Sequence, residues 1–97
     1  MIQVEKISNS RFRKVTFSFA GQPGHQVSVA GSFNDWDPGK HPMTYSPDSE
    51  IYSCQIEIIP GTYEYKLVID GEWVTDRENT NFSANDFGTL NRVLNLD

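Results

Sequence analysis

The sequence predicts an all-β fold, a two-sheet sandwich of immunoglobulin-like type. Three observations predict it. Apolar residues alternate with period two in five separate runs, and Gly, Pro, Asn or Asp stand at the ends of those runs. No stretch carries a helical period wide enough to form a buried stripe; "TDRENTNFSAND" lacks glycine and proline but has too few apolar residues. The 97 residues suffice for one hydrophobic core and not for two, so residues 1–97 are read as a single domain.

Each run follows the same logic. "RKVTFSF" sets Val15, Phe17 and Phe19 against Lys14, Thr16 and Ser18, and "HQVSVAG" continues with Val27 and Val29. "IYSCQIEI" offers Tyr52, Cys54, Ile56 and Ile58 to one face and Ser53, Gln55 and Glu57 to the other. "TYEYKLVID" places Tyr63, Tyr65, Leu67 and Ile69 opposite Glu64, Lys66 and Val68. In "TLNRVLNL", Leu90, Leu94 and Leu96 alternate with Thr89, Asn91, Val93 and Asn95. Because successive strand side chains point to opposite faces, the apolar set of each run is the expected core. The closing "NRVLNLD" reads as a strand running to the terminus, so the domain is expected to be complete in itself.

Charge narrows the choice of ligand. A net charge of −5 repels nucleic-acid phosphates and anionic lipid surfaces, and no apolar run reaches transmembrane length. A neutral ligand is indifferent to that charge. The lone Cys54 has no disulfide partner and reads as a buried, inert thiol, while "MIQVEKISNS" lacks the layout of a signal peptide. Both point to the cytoplasm, where the sequon "NFS" would go unused.

Asp70-Gly71 is the strongest local signal, since both residue types tolerate the positive φ of a two-residue type I′ hairpin. Pairing outward from that turn sets Ile69 against Glu72, Val68 against Trp73 and Leu67 against Val74. Trp73 therefore shares the outer face with Val68 and Lys66, with Lys66 as its diagonal neighbour. The same parity turns Thr89 and Asn91 outward. A second tryptophan, Trp36, sits in the polar loop "AGSFNDWDP". Indoles beside an ammonium, a hydroxyl and a carboxamide suit a pyranose, whose C–H face packs on π surfaces and whose rim seeks hydrogen bonds. Taken singly, each residue also has a structural reading. Trp36 can cap one end of the sandwich, Trp73 can simply cover Val68, and Lys66 can be a solvated strand lysine.

Other chemistries find little support. His25 and His41 stand apart in sequence, with no carboxylate or cysteine at ligand spacing, so no metal or other cofactor is expected. "DFG", residues 86–88, is a chance match in so short a chain. A glycosidase needs two carboxyl groups roughly 5–10 Å apart across a cleft. Asp35, Asp37, Asp70 and Asp76 instead read as turn residues bonding to nearby backbone. The chain is expected to be non-catalytic.

Taken together, "VSVAGSFNDWDP", "PGTYEYKLVIDGEWVTD" and "FGTLNRVLNL" resemble carbohydrate-binding module family 48, and within it the glycogen-binding domains of AMP-activated protein kinase beta subunits. The likeness spans residues 14–96 and rests on G-x-F-N-x-W, Y-K-x-x-x-D-G-x-W and G-T-x-N in that order. It implies an early-set sandwich that binds α-1,4-glucans such as glycogen, starch or maltooligosaccharides. It also implies a binding set at Trp36, Lys66, Trp73, Thr89 and Asn91. Phe87 stands just before G-T-x-N, where the similar kinase domains carry leucine, and an aromatic ring there either adds a third stacking surface or narrows the site. The rival expectation is a protein-interaction module that docks on a glucan-metabolising enzyme or kinase, its aromatic patch acting as the hot spot.

Overall fold

The computed structural model describes residues 2–75, 82–84 and 90–97. Nine strands follow in order: β1 Ile2–Lys6, β2 Arg13–Ala20, β3 Val27–Gly31, β4 Thr44–Ser46, β5 Ile51–Ile58, β6 Gly61–Ile69, β7 Glu72–Val74, β8 Phe82–Ala84 and β9 Leu90–Leu96. They form two antiparallel sheets, β1-β2-β5-β4 and β3-β6-β9-β8, with β7 paired to β6 outside the second path. This is the β-sandwich the alternation predicts. The chain changes sheet between β2 and β3, β3 and β4, and β5 and β6, so each sheet is completed by distant segments.

Parity places the core. Val15 and Phe17 from one sheet meet Val29, Tyr65, Leu67, Leu94 and Leu96 from the other, with Tyr52, Ile56 and Ile58 closing the first sheet's inner face. Phe17 and Tyr65 touch edge to face across the layers, their ring centroids 5.2 Å apart. Fully burying side chains of this size stabilises by about 1.5–3 kcal/mol each. Cys54 lies partly buried against this cluster, and burial pushes its thiol up to about 11.

Three strands fall outside the five alternating runs, although Ile2 and Val4 of β1 do alternate with Gln3 and Glu5. β1 is an edge strand whose Val4 is exposed, and β4 and β8 are three residues each. Their pairing comes from the neighbouring β2, β5 and β9 rather than from their own composition.

β3 departs from the half-buried pattern because it is buried along its whole length. Val27 and Val29 face the core, while Ser28 and Ala30, on the other face, are also covered. The following loop returns along the free edge of β3: Met43 N–H donates to Val27 C=O at 2.7 Å, Val29 N–H to His41 C=O at 3.3 Å, and Ser28 bridges Pro42. An otherwise open strand edge is thereby capped, and the loop that caps it carries Trp36.

Candidate functional site

The β6–β7 hairpin sets the position of Trp73. Asp70 and Gly71 adopt φ of 51° and 82°, the left-handed pair that a type I′ turn requires. Register follows as counted from the turn: Ile69 opposite Glu72, Val68 opposite Trp73, Leu67 opposite Val74. Trp73 therefore lies on the outer face and is 43% exposed, whereas Val68 opposite it is buried. The turn is also clasped to the segment before β3. Asp70 N–H donates to Gln26 C=O at 2.8 Å, and the Asp70 carboxylate accepts from Gln26 N–H at 2.8 Å and meets His25 Nδ1 at 2.6 Å.

This clasp corrects two sequence expectations. Asp70 bonds to backbone far along the chain rather than to its own turn, and His25 does have a carboxylate neighbour. Chain separation concealed both. The bond from Gln26 N–H, then the one from His25, holds the Asp70 carboxyl below the ordinary carboxylate range. Asp37 does behave as a turn residue, accepting from Gly39 N–H at 2.8 Å. Asp76 lies outside the described residues. Among those residues, no group of three or more His, Cys, Asp or Glu side chains is placed to hold a metal ion.

Trp36 is positioned by a tighter device. Gly31 ends β3, and a Cβ there would collide with the Glu64 carbonyl oxygen, lie 2.7 Å from Phe33 Cε2 and lie 2.8 Å from Tyr65 Cβ. Its absence lets the loop leave β3 close against β6, where Ser32 N–H donates to Glu64 C=O at 2.9 Å. Gly31 C=O then accepts from both Asn34 N–H and Trp36 N–H, at 3.0 and 2.9 Å. Asp35 and Trp36 both take φ of 58°. Left-handed backbone is disfavoured for L-residues, most of all bulky ones, and two in succession require external support.

Asn34 supplies that support from a buried position, 4% exposed. Its Oδ1 accepts from Gly31 N–H at 2.9 Å, and its Nδ2 donates to Val29 C=O at 3.0 Å and lies 2.8 Å from His41 Nδ1. Burial, and then the Lys40 charge, lower the His41 pKa. The asparagine is part of G-x-F-N-x-W, but no sequence signal tied it to His41.

The loop after β3 and strand β7 bring the indoles together. Trp36, partly buried, and Trp73 have ring centroids 6.5 Å apart and planes inclined at 38°. A sugar ring held between two plates needs about 7–8 Å, twice the ~3.5–4.0 Å carbon contact distance. The pair therefore forms one bent plate rather than a clamp. Lys66 stands partly buried on the same outer face, opposite Ala30 and diagonal to Trp73. Asn91 lies on the outer-facing parity of β9 but is only 7% exposed, its Nδ2 donating to Glu64 Oε1 at 3.3 Å. Thr89 and Phe87 fall outside the described residues. On the hairpin side, His25, Ser28, Pro38, Pro42, Val68 and Gly71 border an open pocket of about 550 Å³. Among the described residues, no helix is long and apolar enough to cross a membrane.

Comparison with known proteins bears on this geometry. The family described as the glycogen recognition site of AMP-activated protein kinase matches residues 13–97. The chain is 26% identical over 95 residues to 5'-AMP-activated protein kinase subunit beta-1 of Sus scrofa, covering 98% of this chain and 73% of that protein. It is 26% identical over 95 residues to the Homo sapiens beta-1 subunit, with 98% and 33% covered. It is 29% identical over 73 residues to the Mus musculus beta-2 subunit, with 75% and 26% covered. The chain thus spans about a third or less of the human and mouse relatives.

Proposed function

This chain belongs to the family of the glycogen recognition site of AMP-activated protein kinase, a family of non-catalytic carbohydrate-binding modules, and from that premise we propose that it binds α-1,4-glucans through Trp36 and Trp73. One observation carries the reading: two indoles, Trp36 from the loop after β3 and Trp73 from β7, have centroids 6.5 Å apart beside the outer face of a sheet. Successive glucose units lay their C–H faces along the bent plate, one per ring. Lys66 donates to hydroxyls on the rim, with Asn91 beside Glu64 as a further polar partner. Phe87 and Thr89 join the set through their places, the first just before G-T-x-N and the second within it. Glycogen, starch and maltooligosaccharides share this chemistry, and a neutral polymer is compatible with the acidic chain.

Stacking of this kind contributes roughly 1–3 kcal/mol per ring, by analogy with bases on aromatic side chains. Ordering a flexible chain offsets much of that, which puts the dissociation constant at about 10 µM to about 1 mM. Titrating maltoheptaose or β-cyclodextrin, with tryptophan fluorescence and amide shifts as readouts, tests the proposal. A β-linked oligoglucoside serves as the negative control. Trp36→Ala and Trp73→Ala should each weaken binding about tenfold or more, the equivalent of ~1.4 kcal/mol. Unchanged affinity in both variants sinks the assignment.

A kinase assembly is the protein partner we propose beside the glucan, since the similar proteins are named as kinase beta subunits. A cytoplasmic location fits that partner and the lone thiol.

A further inference from the structure

We propose that Asn34 and His41 form a positioning pair for Trp36, and that proton uptake by His41 releases the loop and weakens glucan binding. The proposal rests on the glucan reading for its consequence but not for its structural half.

Hydrogen-bond accounting requires a neutral His41. Asn34 Oδ1 is committed to Gly31 N–H, so the carboxamide cannot be reversed without leaving that donor unmet. Nδ2 then points its two hydrogens at Val29 C=O and His41 Nδ1. His41 Nδ1 must therefore be the acceptor, with the imidazole proton on Nε2. An imidazolium carries hydrogens on both nitrogens. Donor would face donor across 2.8 Å, and turning the ring over does not help, since neither nitrogen can then accept.

The surroundings reinforce this requirement. The Phe33 ring meets the imidazole edge to face, with centroids 6.3 Å apart. The neighbouring β3 presents the neutral Val29, whose N–H is held by the His41 carbonyl at 3.3 Å. The charged group acting on the ring is the Lys40 ammonium, itself paired with Asp35 at 3.4 Å. Burial and that like charge both favour the neutral ring, as does the Asn34 bond. When acid overrides them, Asn34 loses a partner in a buried site, and the consequence runs along the loop: Asn34 holds Gly31 N–H, Gly31 C=O holds Trp36 N–H, and Trp36 sits at a φ it does not adopt unaided.

The sign follows from the lowered pKa. Stability of the loop is complete above the unfolded-state value of histidine and declines as pH falls through it toward the lower folded value. His41→Asn is the informative variant, because its carboxamide oxygen can occupy the place of Nδ1, accept from Asn34 and never titrate. Wild type should bind maltoheptaose about fivefold more weakly at about pH 5 than at about pH 7.5, the effect of one buried hydrogen bond. His41→Asn should match wild type at neutral pH within about twofold and lose most of the acid weakening. It keeps the His25–Asp70 pair, so any pH dependence arising at the hairpin survives in it and can be subtracted. In the sugar-free protein, the amide shifts of residues 33–37 should titrate together with the His41 ring. The inference is overturned if those amides ignore the His41 titration, or if His41→Asn weakens in acid as steeply as wild type. Failure of wild type to bind any α-glucan at neutral pH would defeat the glucan reading alone, and the sugar-free titration would still decide the pair.

Discussion

Replacing Gly31 with alanine should be among the most damaging single-methyl additions this chain can receive. Of the three atoms its Cβ would crowd, two belong to β6: the Glu64 carbonyl oxygen and Tyr65 Cβ at 2.8 Å. Neither can swing aside, since one is backbone and the other is attached to it, and Tyr65 is wholly buried. β3 and β6 must therefore part where Gly31 opposes Tyr65. That movement also strains the Ser32–Glu64 bond and the Gly31 contacts to Asn34 and Trp36. Overpacking of this kind destabilises by about 1–3 kcal/mol, and each disturbed hydrogen bond adds about 0.5–1.5 kcal/mol. A total near 3 kcal/mol would lower Tm by roughly 12–24 °C in a domain of this size. Gly71→Ala is the control: nothing lies within 4 Å of its Cβ and φ is +82°, so only left-handed strain of about 1–2 kcal/mol is expected. Urea unfolding followed by circular dichroism and tryptophan fluorescence measures both. A Gly31→Ala stability within about 0.5 kcal/mol of wild type, or a Gly71→Ala variant more destabilised than Gly31→Ala, would show that β3 and β6 can accommodate a Cβ at Gly31.

Asp70 and Cys54 give two further expectations. The Asp70 carboxyl is held low by the Gln26 N–H and by His25, so its stabilisation is present above the unfolded-state aspartate pKa and lost as pH falls through the lower folded value. Asp70→Asn should flatten that part of the acid limb in urea unfolding, and an unchanged pH profile would show the clasp to be idle. Cys54, pushed up to about 11 by burial from a usual 9.0, should alkylate roughly a hundredfold more slowly at about pH 8 in the folded chain than in urea. Equal rates would place the thiol outside the core.

Much of the fold was legible because strand parity is a local property. Val15, Phe17 and Tyr65 alternate with polar neighbours on both sides, and Val29, Leu67 and Leu94 continue the same period-two sets, so parity picks out the inward face. The Trp73 register was legible for the same reason, since Asp70-Gly71 dictates a turn geometry that counts pairs outward. β1, β4 and β8 were not, because short edge strands are paired by their neighbours and carry weak patterns of their own. Nor does parity distinguish an outer face that meets water from one that is covered, which is why Val68, Ala30 and Asn91 are buried on the polar side.

The site divides along the same line. Sequence alone settled that Trp73 faces outward, and a polar loop around Trp36 marked it as the second candidate, which the motif likeness then matched. Only the tertiary structure decided that their rings meet as one bent plate, that Asn34 braces the Trp36 loop through His41, and that Asp70 clasps the Trp73 hairpin through His25. Backbone sterics act between chain neighbours and can be counted along a sequence. Hydrogen bonds such as His25–Asp70 join residues 45 positions apart and exist only once the sheets have brought those residues within reach.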